Sequence, residues 1–303
     1  METDNRQRAQ IYKGSVPNNR NSAKRIIIDW IKPNTDLLDV GCACGDMGIA
    51  IQKEKNCRII GLEYNSYSVK IAKKTGAYRE VFQCDLNNYK KINISEKFDY
   101  IAFGDVLEHI YLPQEVINHF KNFLKPEGLI LISLPNIAHA SIKANLLLNN
   151  FDYTQTGLLD ITHIRLFTYK TIATLLTNCN LKIKEYYPTY FKGIFGTQPN
   201  DPYKDLPNNI NDFILKDKHS HVTQYVIACS IDDSNENLLK HNLAILDKNT
   251  PEKSFKYKKE TKITKFINKL FSISISDKKS HKIINIIGVK LKFRIQKKDK
   301  NEQ

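Results

Sequence analysis

The chain has 303 residues, 41% hydrophobic and 10% aromatic, with 46 Lys+Arg against 32 Asp+Glu for a net charge of +14. That balance excludes wholesale disorder, and the scarcity of Gly and Pro excludes a collagen-like or linker-dominated chain. No apolar run reaches the roughly eighteen residues of a spanning helix. The opening METDNRQRAQ is polar throughout and lacks the apolar stretch of a signal peptide. A cytoplasmic protein is expected, built as one large domain with an appendage or as two small domains.

Residues 22–31 read as a helix, with Ser22 as its cap, Ile26, Ile27 and Trp30 on one face, and Pro33 as its stop. LLDVGCACGDMG (37–48) reads as an apolar strand, a glycine-bearing turn and a helix start. CRIIGLEY (57–64), EVFQCD (80–85) and FDYIAFGD (98–105) are three further strands, each with an acid at or near its C-terminal end. Helices are expected at 66–75 and 114–124, the second closed by KPEG (125–128), before a fifth strand at 128–136. Strands alternating with helices imply an α/β, Rossmann-like, doubly wound and mostly parallel sheet with helices on both faces. Helices at 138–149 and 168–179 follow, and strands at 181–187 and 222–231 read as a closing antiparallel pair. Between those strands, 188–221 is loop-rich, with Pro188, Pro199, Pro202 and Pro207. Residues 232–260 read as a polar linker.

Ligands of such sheets bind outside the C-terminal strand ends. Asp39–Gly45, Glu63, Asp85 and Asp105 therefore converge on one crevice. The glycine turn admits a ligand close to the backbone, and the helix start behind it favours an anionic group. A carboxylate at Glu63 suits two ribose hydroxyls, and Asp85 suits an adenine amino group. A G-x-G-x-x-G dinucleotide loop starting at Gly41 would need Gly at 43 and 46, where this chain has Ala43 and Asp46. A single adenosine fits better than a dinucleotide. Cys42 and Cys44 form a CxC pair, but no second Cys or His pair stands at zinc spacing, so neither a metal nor a disulfide framework is expected.

With these motifs, residues 20–231 resemble a class I S-adenosylmethionine-dependent methyltransferase. LLDVGCACG resembles the family's cofactor loop, with Ala43 in place of the usual middle glycine. FGDVLEH (103–109) resembles its fourth motif, and LKPEG (124–128) its turn before the fifth strand. The resemblance implies S-adenosylmethionine as cofactor. Asp39, Gly41, Cys42, Ala43 and Gly45 would lie at the methionine end. Glu63 would hold the ribose and Tyr64 flank the adenine. Asp85 would contact the adenine amino group, with Leu86, Gly104 and Asp105 completing the lining. PNIAHASIKANLLLNNFDYTQTGLLDITHIRLFT (135–168) is similar to a branch common in bacterial surface-polysaccharide gene clusters, often beside glycosyltransferases. LFSISISDKKSHKIINIIGVKLKFR (270–294) resembles C-terminal segments of capsule and lipooligosaccharide enzymes.

On this reading, 1–34 is a helical segment or lid and 35–231 the catalytic domain, with acceptor-side insertions at 136–167 and 188–221. Residues 232–260 form a linker and 261–303 a basic amphipathic segment. A hydroxyl acceptor must lose its proton. The candidate bases are His163, His109 and His139, with Glu108 and Asp160 as orienting carboxylates. Asp160 and Arg165 are placed to fix His163, and Thr168 to cap the next helix. Exocyclic-amine methyltransferases of nucleic acid carry an Asp/Asn-Pro-Pro-aromatic motif that GDVLEH lacks.

The basic excess is local. Residues 251–303 hold 16 Lys+Arg and 5 Asp+Glu, net +11, leaving 30 against 27, net +3, in residues 1–250. In KITKFINKLF (262–271) the apolar residues share one helical face flanked by lysines, a pattern suited to anionic lipid. GVKLKFRI (288–295) has strand periodicity. The expected partners are a small-molecule or glycan acceptor, and a glycosyltransferase or the cytoplasmic face of the inner membrane through 261–303. Nucleic-acid binding is disfavoured by the sparse aromatic interleaving. The favoured function is O-methylation of a sugar, or a nearby group, in a surface-glycan precursor. The rivals are a methyltransferase of a quinone-type or carboxylic acid metabolite, a cofactor-binding scaffold without turnover, and a nucleic-acid methyltransferase.

Overall fold

Strand β1, Asp36–Val40, sends Leu37 to one face of a sheet and Leu38 and Val40 to the other. In β2, Arg58–Glu63, Ile59 and Ile60 divide in the same way. This alternation makes both faces apolar, so each must be covered by helices. The structure is a computed structural model. It describes residues 7, 9, 14–19, 21–92, 94–190, 202–232, 234 and 237–252, and the backbone of three strands between 271 and 294.

β3 is Glu80–Gln83, β4 Phe98–Gly104, β5 Leu124–Pro135, β6 Leu181–Thr189 and β7 Gln224–Ile231. The seven strands order as β3-β2-β1-β4-β5-β7-β6. β1 to β5 are parallel, while β7 runs antiparallel to both β5 and β6. The expected sheet and its closing antiparallel pair are present. The chain runs from β1 outward through β2 to β3 and then crosses back to β4 on the other side of β1, which makes the β1–β4 crevice the switch point where ligands of such sheets bind.

One face is covered by α1 (Ala23–Trp30), α2 (Asp46–Lys55) and α3 (Ser66–Lys74), which pack Ile27, Ile51, Val69 and Ala72 against Leu37, Ile59 and Ala102. The other carries α4 (Pro113–Phe120), α6 (Tyr169–Asn178) and α8 (Leu238–Lys248), with Val116, Phe120, Ile172, Leu176 and Leu246. The insertion between β5 and α6 holds α5 (Ala140–Leu147), and the one before β7 holds α7 (Asn208–Lys216). Local signals fix the ends. Asn65 caps α3 by accepting from the N–H groups of Tyr67 and Ser68. Thr168 caps α6 in a reciprocal box with Thr171.

Three expectations change. KPEG does not close a helix: α4 ends at Phe120, a short 3-10 turn follows, and Leu124 already pairs with Phe98. The next register pair is Tyr100 with Leu129, so KPEG bulges within β5, where Lys125 bonds Asp36 and Asp99. The second half of 188–221 is ordered, because Tyr203 and Leu215 are buried and Asn211 bonds the Tyr203 carbonyl. Residues 191–201 lie outside the described residues. The stretch read as a linker contains α8, held by fully buried Leu246 and by Asn242, which bonds both Ile183 and Leu181. Residues 253–270, with most of the expected amphipathic helix, lie outside the described residues.

The chain divides into units 1–256 and 257–303. The second holds an antiparallel sheet ordered β10-β9-β8, from Phe271–Ile275, His281–Ile286 and Val289–Arg294. The strand periodicity of 288–295 is realised in β10. No helix among the described residues is long and apolar enough to cross a membrane.

Candidate cofactor and acceptor site

The loop after β1 is bent by backbone conformation. Gly41, Ala43 and Gly45 all have positive φ, at 75°, 48° and 90°. The N–H groups of Gly41 and Cys42 both donate to the Leu62 carbonyl, which ties the loop to the end of β2. A Cβ on Gly41 would sit 2.5 Å from Val106 Cγ2, so only glycine lets the loop lie against the segment after β4. Ala43 occupies the left-handed region without that freedom.

Glu63 ends β2 with its carboxylate bridging two backbones. Oε2 accepts from the Ala43 N–H at 2.9 Å and Oε1 from the Asn65 N–H at 2.7 Å. Burial pushes its carboxyl upward, and these N–H groups oppose the shift. Asp85 caps the turn Leu86–Lys91, accepting from the Asn87 N–H and the Asn88 side-chain amide. Leu86 is buried beside it, while the Tyr64 ring is 67% exposed next to Glu63. The switch point thus brings together Gly41, Ala43, Gly45, Glu63, Tyr64 and Asp85. The donor set fits S-adenosylmethionine. Each Glu63 oxygen keeps acceptor capacity for a ribose hydroxyl, as does Asp85 for an amino group. The Tyr64 ring offers a flat apolar surface.

Three of the expected residues sit elsewhere in the network. Asp39 is 1% exposed, beneath the loop, where its Oδ2 accepts the Tyr78 hydroxyl at 2.7 Å. Burial pushes its carboxyl up to about 6, against the opposing Tyr78 bond. Cys42 is buried, and burial drives its thiol strongly upward, so it stays a neutral packing group. Asp105, at positive φ, accepts from Ser133 Oγ at 2.7 Å and Gln224 Nε2 at 2.8 Å. It braces the end of β4 against β5 and β7, and a Cβ on the preceding Gly104 would make ordinary contacts with Ile27 and Met47. Tyr78, Ser133 and Gln224 carry no motif in the sequence. The glycines around Tyr78 are the one local signal that marks it.

On the acceptor side, the 136–167 insertion folds back over the turn after β4. The N–H groups of Ile164 and Arg165 both donate to the Glu108 carbonyl at 2.9 Å. Asn136 anchors the insertion, its amide donating to the His219 and Val222 carbonyls. His109 and His163 are thereby brought together edge to face, with ring centres 4.9 Å apart. Glu108 lies fully buried beside them, its Oε1 3.9 Å from His163 Nε2. Burial, reinforced by Asp105 and Asp160, pushes the Glu108 carboxyl well above the usual carboxylate range. Burial, with His163 adding to it, holds the His109 imidazole below its usual value.

Asp160 reaches both histidines, its backbone carbonyl accepting from the His163 backbone N–H at 2.9 Å. Its Oδ1 accepts from the Thr162 N–H at 2.8 Å and hydroxyl at 2.6 Å, and the Thr162 carbonyl lies 3.0 Å from His109 Nδ1. Arg165 donates to the Tyr111 carbonyl instead of fixing His163. His139 is buried and caps α5 by accepting from the Ser141 N–H, and burial pulls it down to about 4, so it is a neutral structural group. Around this corner Tyr111, Tyr153 and Ile161 are exposed, and Phe151 packs edge-on against Tyr153. A separate cleft, lined by Gly14, Val16, Arg25, Asp46 and Glu54 among others, includes none of Asp39, Glu63, Asp85 and Asp105.

Residues 16–186 match the family described as a methyltransferase domain. A ribosomal protein L11 methyltransferase of Caldicellulosiruptor saccharolyticus is 31% identical over 104 residues, 34% of this chain and 33% of that protein. A ubiquinone biosynthesis O-methyltransferase of Actinobacillus pleuropneumoniae is 30% identical over 107 residues, 33% of this chain and 45% of that protein. The chain therefore spans less than half the length of these relatives. Among solved structures, N-methyltransferase NodS from Bradyrhizobium japonicum in complex with S-adenosyl-l-homocysteine is 12% identical with a TM-score of 0.48, covering 75% of this chain and 96% of that one.

Proposed function

The chain belongs to the methyltransferase-domain family, with S-adenosylmethionine as cofactor, and from that membership we propose that it O-methylates a hydroxyl of a sugar, or a nearby group, in a surface-polysaccharide precursor. The observation that carries an oxygen acceptor is the meeting of His109, His163 and Glu108 at the C-terminal end of β4. Such a group serves an acceptor that must lose a proton.

Bound in the crevice, the cofactor supplies an electrophilic methyl carbon on a sulfonium. Glu63 would hold the ribose, Tyr64 and Leu86 would flank the base, and Asp85 would meet its amino group. The loop from Gly41 to Gly45 would hold the methionine end, resting on Asp39 and Tyr78. Much of the acceleration in such a displacement comes from fixing the acceptor oxygen in line with the methyl carbon. The insertion supplies that fixing through the backbone bonds of Ile164 and Arg165 to Glu108. The exposed rings of Tyr111 and Tyr153 provide flat apolar surfaces on which a sugar ring can rest.

The similarity of 135–168 to the surface-polysaccharide branch favours a glycan acceptor. The ubiquinone O-methyltransferase relatives favour a second reading, a quinone-type hydroxyl on a small metabolite. Incubation of the full chain with labelled S-adenosylmethionine and three acceptor sets separates the readings. Label on nucleotide-sugars or lipid-linked glycans supports the first. Label only on dihydroxyphenyl compounds replaces it with the second. Cofactor binding without label on any set or on cell extract supports the scaffold rival.

A further inference from the structure

Glu108, His109 and His163 come from two distant segments, yet one side-chain ligand atom from each lies within 4.8 Å of the other two. His109 Nδ1 is 3.0 Å from the Thr162 carbonyl, and His163 Nδ1 is 3.1 Å from the Leu158 carbonyl. A carbonyl oxygen only accepts, so each ring, when neutral, carries its proton on Nδ1 and keeps a lone pair on Nε2. The third member is the Glu108 carboxyl, 1% exposed, whose Oε2 has no hydrogen-bond partner among the described residues. Its Oε1 is 3.9 Å from His163 Nε2, too far for a hydrogen bond. The two Nε2 lone pairs and an ionised Glu108, gathered in this way, repel one another. A cation at their centre turns the repulsion into attraction. A backbone carbonyl behind each imidazole is also the arrangement that orients a metal-ligating histidine and raises its basicity.

We propose that Glu108, His109 and His163 bind one divalent first-row transition metal ion through His109 Nε2, His163 Nε2 and the Glu108 carboxylate. Two imidazoles and one carboxylate favour such an ion over calcium or magnesium, which prefer oxygen ligands alone. Metal–ligand bonds of about 2.0–2.2 Å require the three atoms to close together by roughly 1–2 Å, a shift that side-chain torsions supply. Three protein ligands leave coordination positions open. Neighbouring oxygens of a vicinal diol fill them, and a hydroxyl bound there gives up its proton to water more readily. The identity of that occupant rests on the methyltransferase reading; the metal site does not.

The test is a Co2+ titration of the chelator-stripped, tag-free full chain, followed by visible absorption. One equivalent should bind with a d–d band and no thiolate charge-transfer band, which separates the site from the six cysteines. His163→Ala and the near-isosteric Glu108→Gln, each verified folded by circular dichroism, should weaken binding by at least about 100-fold. Both should abolish the rise in unfolding temperature that Co2+ gives the wild type. No stoichiometric binding by the folded wild type, a thiolate band, or binding within threefold of wild type in both variants overturns the proposal. Titration with S-adenosylhomocysteine in the presence of chelator keeps the two conclusions apart. Cofactor binding without metal binding rejects the metal site alone, and the reverse rejects the cofactor reading alone.

Discussion

The Tyr78 hydroxyl donates to Asp39 Oδ2 across 2.7 Å, beneath the loop that turns from β1 into α2. The Tyr78 ring fills a slot floored by three glycines. A Cβ would lie 2.3 Å from its Cζ at Gly48, 3.0 Å from its Cδ1 at Gly61 and 3.0 Å from its Cε2 at Gly45. Glycine here is a packing requirement as much as a conformational one. The ring fixes where Asp39 points, and Asp39 with Gly41 fixes where the loop runs.

Asp39 gives stability a definite pH dependence. Its folded value of about 6 lies above the ordinary 3.8, so the folded state binds the proton more tightly. Its contribution is therefore fully present below about 4 and is lost as pH rises through 6, amounting to roughly 3 kcal/mol. Tyr78→Phe removes a bond that favours the charged form. At pH 7.5 it should cost about 1.5–3 kcal/mol in urea unfolding, the range for a hydrogen bond to a charged group. The cost should shrink at pH 5, where Asp39 is largely protonated. An equal cost at both pH values would remove Asp39 from the account.

Gly48→Ala places a methyl inside the Tyr78 ring. Alanine is the better helix former by about 1 kcal/mol, yet overpacking of this kind costs about 1–3 kcal/mol. Net destabilisation by denaturant unfolding, accompanied by weaker cofactor binding, is expected. A stabilised variant would show that the slot yields freely.

Glu63 holds its own loop and, in the proposed cofactor pose, the ribose. Glu63→Ala should weaken S-adenosylmethionine and S-adenosylhomocysteine binding by about 1.5–3 kcal/mol in calorimetry. It should also lower stability, because the Ala43 and Asn65 N–H groups lose their acceptor. Glu63→Gln keeps one oxygen and loses the charge, so it should bind cofactor between the two. Unchanged affinity in both variants would move the cofactor away from β2.

Asp160 positions His109 through Thr162. Asp160→Asn retains an acceptor for the Thr162 N–H and hydroxyl and should keep most activity. Asp160→Ala should lose about 10- to 100-fold, the usual penalty for removing an outer-shell support. The His109 imidazole resonances should shift in the alanine variant and stay in place in the asparagine variant. Equal loss in both variants would mean that the Asp160 charge acts directly.

The order of strands and helices was legible because each strand here is a short apolar run between recognisable turns, and patterns of that kind are local. LLDVGCACG and the acids at 63, 85 and 105 mark one edge of the sheet for the same reason. Their different duties were not legible. Glu63 faces the loop backbone, Asp39 is buried under a tyrosine, and Asp105 is spent on Ser133 and Gln224. Burial and partner distinguish these carboxylates, and both come from residues far along the chain. KPEG read as a turn because Pro-Glu-Gly favours one, but the pairing of Leu124 with Phe98 makes it a bulge.

Local residue chemistry thus determined the Rossmann-like architecture, the edge of the sheet where the acid-bearing strand ends gather, and the family to which the chain belongs. Only the tertiary structure decided which histidines meet. His109 leaves β4 and His163 lies in an insertion after β5, and no periodicity links them. Asn136 and the backbone bonds to Glu108 fold that insertion back over the turn. Contacts between such distant segments depend on how packed elements close in space, a property that short sequence windows do not carry.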